Sequence, residues 1–183
     1  MSQSKKIFVN IDKCLGCHTC EIECAIAHSN TKDLLTAISE TPLPQYRINT
    51  EYFEGENIPF QCRHCEDAPC VTVCPTEAIT RKEGEIIVSI DEEKCIGCMM
   101  CIQVCPFGVL KSSRENGVVT KCDLCIERLN EGKNPACVEA CPTNALSFLT
   151  EVEMSKKRRE EAGKKILAAF RRGSSAVKEE TSF

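Results

Sequence analysis

Sixteen cysteines in 183 residues fall into four groups of four, and their spacing is the strongest chemical signal in the chain. The first group is Cys14, Cys17, Cys20 and Cys24, spaced C-x2-C-x2-C-x3-C. The second is Cys62, Cys65, Cys70 and Cys74, spaced C-x2-C-x4-C-x3-C and followed by Pro75. The third is Cys95, Cys98, Cys101 and Cys105, with the first group's spacing and Pro106 after it. The fourth is Cys122, Cys125, Cys137 and Cys141, spaced C-x2-C-x11-C-x3-C and followed by Pro142. Three close thiolates can wrap one cubic [4Fe–4S] cluster, and a fourth, three residues on, reaches toward another cube. Zinc closes its site with four ligands and gains nothing from a C-x3-C-Pro element. A disulfide framework suits secreted chains, whereas Met-Ser-Gln-Ser-Lys-Lys at the start lacks an apolar leader. The expected cofactors are therefore four [4Fe–4S] clusters.

The elements around the motifs repeat. Strand-like runs, Ile7 to Ile11 and Ile86 to Ile90, lead into the first and third groups, each through Ile-Asp. Pro75-Thr76-Glu77-Ala78-Ile79-Thr80 leaves the second group and meets a charged turn at Gly84, so a hairpin is expected between groups two and three. Pro106-Phe107-Gly108-Val109-Leu110 and Pro142 to Phe148 repeat the same exit. Group one differs: Ala25 stands where the others have proline, so the helix carrying Cys24 is expected to run on toward His28. Gly16 and Gly97 sit in C-x-G-C, where a missing Cβ lets backbone approach a cluster. Residues 31–61 read as an inserted loop with Pro42, Pro44 and Pro59 and a short helix near Thr31–Glu40.

Composition limits the alternatives. There is no tryptophan, and the hydrophobic share of 42% includes the cysteines, so the ordinary apolar core is thin. The net charge of −4 counts thiols as neutral. Four oxidised cubes with their thiolates would bring it to roughly −12, which argues against nucleic acid as a partner. No apolar run approaches the roughly 18 residues that span a bilayer, so no direct membrane insertion is expected. A cytoplasmic location is expected from the start of the sequence and the cysteine usage. His18 and His64 lie among ligands, but each cube already has four thiolates. Lys13, Lys94 and Lys121 each precede a motif, either as ordinary solvated lysines or as cations that raise a cluster's potential. Asp12 and Asp91 read as turn residues. No nucleophile–base pair stands out, so the chain alone is expected to catalyse nothing.

The motif order, with Gln61-Cys62-Arg63-His64-Cys65-Glu66-Asp67-Ala68-Pro69-Cys70 and Lys121-Cys122-Asp123-Leu124-Cys125, resembles the four-cluster ferredoxin-like subunits of molybdenum and nickel enzyme complexes. Ala25-Ile26-Ala27-His28-Ser29 is similar to the electron-transfer subunit of carbon monoxide dehydrogenase, with hydrogenase-linked formate dehydrogenase subunits a close second. The resemblance implies crosswise ligation. One cube would be held by Cys14, Cys17, Cys20 and Cys141, and a second by Cys122, Cys125, Cys137 and Cys24. A third would be held by Cys62, Cys65, Cys70 and Cys105, and a fourth by Cys95, Cys98, Cys101 and Cys74. It implies an α+β fold of two ferredoxin-like bis-[4Fe–4S] modules in tandem. Residues 1–30 with 108–150 would form one module and 62–107 the other, with 31–61 inserted. It further implies a catalytic oxidoreductase subunit (carbon monoxide dehydrogenase or formate dehydrogenase) on one side. A hydrogenase, reductase or ferredoxin-like subunit would stand on the other. A freely diffusing carrier and an assembly scaffold are the other readings.

Past the last motif, Thr150-Glu151-Val152-Glu153 fits a capping box. A helix is expected over 151–173, ending at Gly173-Ser174-Ser175 before a disordered 174–183. Its apolar end, with Ile166, Ala169 and Phe170, would bind a partner or a second copy, fold back on its own module, or lie on a membrane surface.

Overall fold

The structure, a computed structural model, describes residues 5–82, 86–113 and 117–179, the last eight by backbone alone. Gly84 and residues 180–183 lie outside the described residues. The described residues divide into two compact units, one within 7–148 and one of 5–6 with 149–179.

The larger unit mixes short helices with two-stranded sheets. Strand β1 (Lys6–Val9) pairs with β8 (Leu146–Leu149), joining the entry of motif one to the exit of motif four. Strands β4 (Ile79–Arg81) and β5 (Val88–Ile90) pair antiparallel, joining the exit of motif two to the entry of motif three. Both pairs are extended by the same bond: the Asn10 N–H donates to the Ala145 carbonyl at 2.8 Å, and the Asp91 N–H to the Ala78 carbonyl at 2.7 Å. The other two hairpins lie between motifs. They are β2 (Ile48–Phe53) with β3 (Glu56–Gln61), and β6 (Lys111–Ser112) with β7 (Val119–Thr120).

The β2–β3 hairpin corrects the reading of 31–61 as a loop. Its strands alternate weakly and carry Pro59, which on a two-stranded ribbon can leave its missing N–H outside the ladder. The short helix expected there is α2 (Leu34–Ala37), whose Asp33 side chain caps the Thr36 N–H at 3.1 Å.

Helix α1 (Thr19–Ala27) carries Cys20 and Cys24. The equivalents α3 (Pro69–Thr72), α4 (Met100–Gln103) and α6 (Ala136–Glu139) have four residues each, against nine in α1. Proline cannot continue a helix, because it lacks the N–H and its ring clashes with the preceding turn. In three motifs the helix therefore ends two residues before the cysteine that precedes proline, since that position is itself disfavoured in a helix. Ala25 lets α1 continue to His28. In the fourth motif, the eleven-residue spacing between Cys125 and Cys137 holds a further helix, α5 (Ile126–Asn130).

Two apolar clusters fill this unit. One joins Ile7, Ile48, Leu124 and Leu146 to Cys20, Cys24, Cys122 and Cys137; the other joins Ile79, Val88, Val109, Leu110 and Val119 to Cys70 and Cys101. Few large aliphatic side chains contribute, so cysteines make up much of each cluster.

In the smaller unit, α7 runs from Glu151 to Glu179. The capping box forms: the Thr150 hydroxyl accepts from the Glu153 N–H at 3.2 Å, and Glu153 accepts from the Thr150 N–H at 2.8 Å. Lys6 pairs with Glu151 at 3.0 Å. The helix passes through Gly173, Ser174 and Ser175, where the sequence pattern places its end. Glycine costs only about 1 kcal/mol against alanine inside a helix and no proline follows, so the stop is weak. No helix among the described residues is long and apolar enough to cross a membrane.

Candidate iron–sulfur sites

The cysteine loops share a backbone that the sequence alone does not display. Gly16 and Gly97 take φ of 65° and 66°, and His18 and Met99 follow at 56° and 62°. A Cβ on Gly16 would lie 2.5 Å from the Asn57 side chain, and one on Gly97 would lie 2.9 Å from the Gly117 carbonyl. Left-handed backbone and the hairpin packed over each loop thus demand glycine on the Cβ side. In motifs two and four, His64 and Leu124 take φ of 48° and 59°, which turns each N–H onto the preceding thiol. The bonds from His64 N–H to Cys62 Sγ and from Leu124 N–H to Cys122 Sγ both measure 3.4 Å.

The cysteines gather across motifs. Cys14, Cys17, Cys20 and Cys141 line one cavity with Thr50, Pro59 and Leu146. The Thr19 hydroxyl donates to Cys17 Sγ at 3.5 Å and lowers that thiol's pKa, against opposition from the Cys141 charge. Burial raises Cys20, while Thr50 Oγ1 at 3.6 Å counters it. Cys24 adjoins the motif-four thiols: its charge raises Cys122, Cys125 and Cys137, after burial as the main cause. Cys125 is pushed up to about 11. Cys105 acts in the same way on Cys62 and Cys70, where burial again dominates and Lys121 opposes. Burial raises Cys101, with Cys95 and Cys98 adding charge repulsion. Cys74 and Cys95 both pack against the apolar cluster that contains Cys101. In Cys74 and Cys141 burial opposes ionisation, but backbone N–H groups of Ile79 and Leu146 with the hydroxyls of Thr76 and Thr143 outweigh it.

These features fit cluster ligation. All sixteen cysteines are free thiols. Crowding and burial hold most interior thiols in the protonated form, and bound iron makes their ionisation favourable. Buried polar atoms point the same way: both amide atoms of Gln61 and Nε2 of His64 lack partners beside motif two. The donors among them, Gln61 Nε2 and His64 Nε2, need an acceptor, and thiolate or sulfide supplies one. A [4Fe–4S] cluster, when bound, accepts and returns one electron at little structural cost.

Sequence reading missed a charged network beside motif four. His28 Nε2 bonds Asp123 Oδ1 at 3.0 Å, and Arg47 bonds Asp123 Oδ2 at 2.7 Å. His28 Nδ1 lies 2.7 Å from the Cys24 carbonyl, and the Arg47 N–H donates to Cys24 Sγ at 3.2 Å. Burial disfavours the charged ring, but hydrogen bonds to Asp123 and Cys24 outweigh it and raise His28 to about 9. Burial also opposes ionisation of Asp123, yet His28 and Arg47 hold its carboxyl well below the ordinary range. His28, Asp123 and Cys125 converge within 4.8 Å, but the ion pair and motif four already account for them. His18 stays at the surface, 3.2 Å from Glu21.

The 4Fe-4S dicluster domain family matches residues 53–151, which hold motifs two to four. The chain belongs to this family. It is a ferredoxin-like iron–sulfur protein, and its sixteen cysteines are the ligand number that four [4Fe–4S] clusters require. Among relatives, an iron-sulfur protein of Rhodospirillum rubrum is 44% identical, covering 78% of this chain and 80% of that one. The electron transport protein HydN of Escherichia coli is 37% identical over 84% and 95% of the two chains. The B subunit of the anaerobic dimethyl sulfoxide reductase of Escherichia coli is 36% identical over 86% and 78%.

Proposed function

We propose that the chain is a non-catalytic electron wire with four [4Fe–4S] clusters in two crosswise ferredoxin-like modules. The first cube takes Cys14, Cys17, Cys20 and Cys141; the second takes Cys122, Cys125, Cys137 and Cys24. The third takes Cys62, Cys65, Cys70 and Cys105; the fourth takes Cys95, Cys98, Cys101 and Cys74. The observation that carries the reading is the shared cavity of Cys14, Cys17, Cys20 and Cys141, whose members come from the first and last motifs. Continuity supports it too: Cys137 feels the charge of Cys20, and Cys62 packs against both apolar clusters.

The relatives named for electron transport, and as a subunit of a reductase, support placing this chain between two redox partners. On one side stands a catalytic oxidoreductase subunit, carbon monoxide dehydrogenase or formate dehydrogenase. On the other stands a hydrogenase, reductase or ferredoxin-like subunit. Helix α7, with Ile166, Leu167 and Phe170 exposed, offers a contact for such a partner or a second copy. Anaerobic isolation of the native assembly tests this. The chain should co-elute with an oxidoreductase and be reduced by carbon monoxide or formate through it. Elution alone, with reduction by neither, makes it a diffusible carrier.

A further inference from the structure

Lys13, Lys94 and Lys121 hold the same position before their motifs, but their surroundings differ. Lys94 is largely exposed and pairs with Asp91 at 3.3 Å. Lys13 ends a short 3-10 helix at a half-exposed site. Lys121 is 4% exposed. Its Nζ donates to the Cys122 carbonyl at 3.1 Å and to the Val88 carbonyl, and no carboxylate among the described residues pairs with it. A buried cation without a counter-charge is costly to desolvate. The sulfurs within range of the Lys121 charge are those of Cys62 and Cys70.

Val88 also fixes His64. Its N–H donates to His64 Nδ1 at 3.0 Å, so Nδ1 is the acceptor and the ring hydrogen of the neutral form sits on Nε2. That Nε2–H is buried and has no protein partner. One strand residue thus clamps two side chains, and each keeps a donor in hand: His64 its Nε2–H, Lys121 the third of its three N–H groups. Leu124, the motif-four equivalent of His64, offers none.

We infer that Lys121 and His64 tune the cluster of motif two, presenting a positive charge and a hydrogen bond to its sulfurs and so raising its reduction potential. The inference rests on the proposed placement of that cluster on Cys62, Cys65, Cys70 and Cys105. Reduction adds one electron and makes the cube more negative, so a nearby cation and N–H donor favour the reduced form. A merely structural lysine would knit two carbonyls together and leave the potential unchanged.

The test is an EPR-monitored redox titration of wild type, Lys121→Met, His64→Asn and His64→Gln. Asparagine can keep the acceptor for Val88 while removing the Nε2 donor, and glutamine can return an N–H at Nε2 reach. The same single wave of four should fall in potential in Lys121→Met and His64→Asn. In Lys121→Met its reduced-to-oxidised ratio at a fixed potential should drop about tenfold, 59 mV for one electron. His64→Gln should restore it. Wild type carrying 15N-labelled histidine should also show a hyperfine coupling in its reduced spectrum that His64→Asn lacks. If Lys121→Met sheds iron, the two His64 variants decide. Unmoved waves, or four that move together, overturn the inference while iron near 16 per chain leaves the four-cluster reading standing. Iron of eight or fewer in wild type defeats that reading itself.

Discussion

The exits of motifs two, three and four are one turn, and the exit of motif one is a helix. After Cys74, Cys105 and Cys141 comes proline, then a left-handed residue at the third place: Glu77, Gly108 and Asn144, with φ of 53°, 59° and 53°. Each returns its N–H to the cysteine carbonyl, at 3.3, 3.3 and 3.2 Å. After Cys24, α1 continues to Ala27 and delivers His28 to Asp123. The turn sends the chain back toward a strand at the exits of motifs two, three and four. The helix puts the exit of motif one to another use, an ion pair that ties motif one to motif four.

The largest expected effect follows from the proposed crosswise ligands. Cys141→Ser should lose the cube built on Cys14, Cys17 and Cys20, dropping iron from about 16 to about 12 per chain. An EPR spectrum in which the motif-four cube vanishes instead contradicts the scheme.

Ala25→Pro would give motif one the exit of the others. The substitution removes a backbone bond of α1 and displaces His28, so a loss of about 3 kcal/mol in unfolding free energy is expected under anaerobic conditions. An unchanged urea midpoint would show that the long helix is incidental.

Asp123→Asn keeps the shape and removes the charge facing His28 and Arg47, which should cost about 2 kcal/mol. The pH dependence carries its signature. His28 is raised from its ordinary 6.5 to about 9, so its contribution is whole below about 6.5 and fades as pH rises through 9. The gap in urea midpoint between wild type and His28→Gln should therefore be wide at pH 6 and narrow by about pH 9.5. A gap constant across that range would show that the ring acts without its charge.

The smallest effect belongs to the other unit. Thr150→Ala removes the cap of α7 and should cost about 1 kcal/mol, seen as faster amide exchange in its first turn with iron unchanged. Loss of iron would tie this helix to the clusters.

Much of the site was legible in the sequence because cluster ligation fixes residue type and spacing together. The four groups, the extra length of α1 and the Thr150 cap all follow from local rules about cysteine, proline and capping residues. The β2–β3 hairpin was hidden because Ile48 to Gln61 lacks a clean alternation and contains Pro59. The continuation of α7 past Gly173 was missed because glycine and serine are weak breakers. The His28–Asp123–Arg47 network and the burial of Lys121 were beyond reach for another reason. Their partners are separated by 95 and 76 residues for His28 and Arg47, and by 33 for Lys121 and Val88. Only the paired motifs bring them together. Three lysines in one sequence position had three environments, which no local rule distinguishes.

Sixteen thiols serving four cubes is a stoichiometry that can be counted. Iron and acid-labile sulfide determination on anaerobically purified full-length chain, with a Mössbauer spectrum of the same sample, tests it most directly. Four clusters predict about 16 iron and 16 sulfide per chain with all iron in [4Fe–4S] form. Eight or fewer irons, or zinc at stoichiometric level, would contradict it.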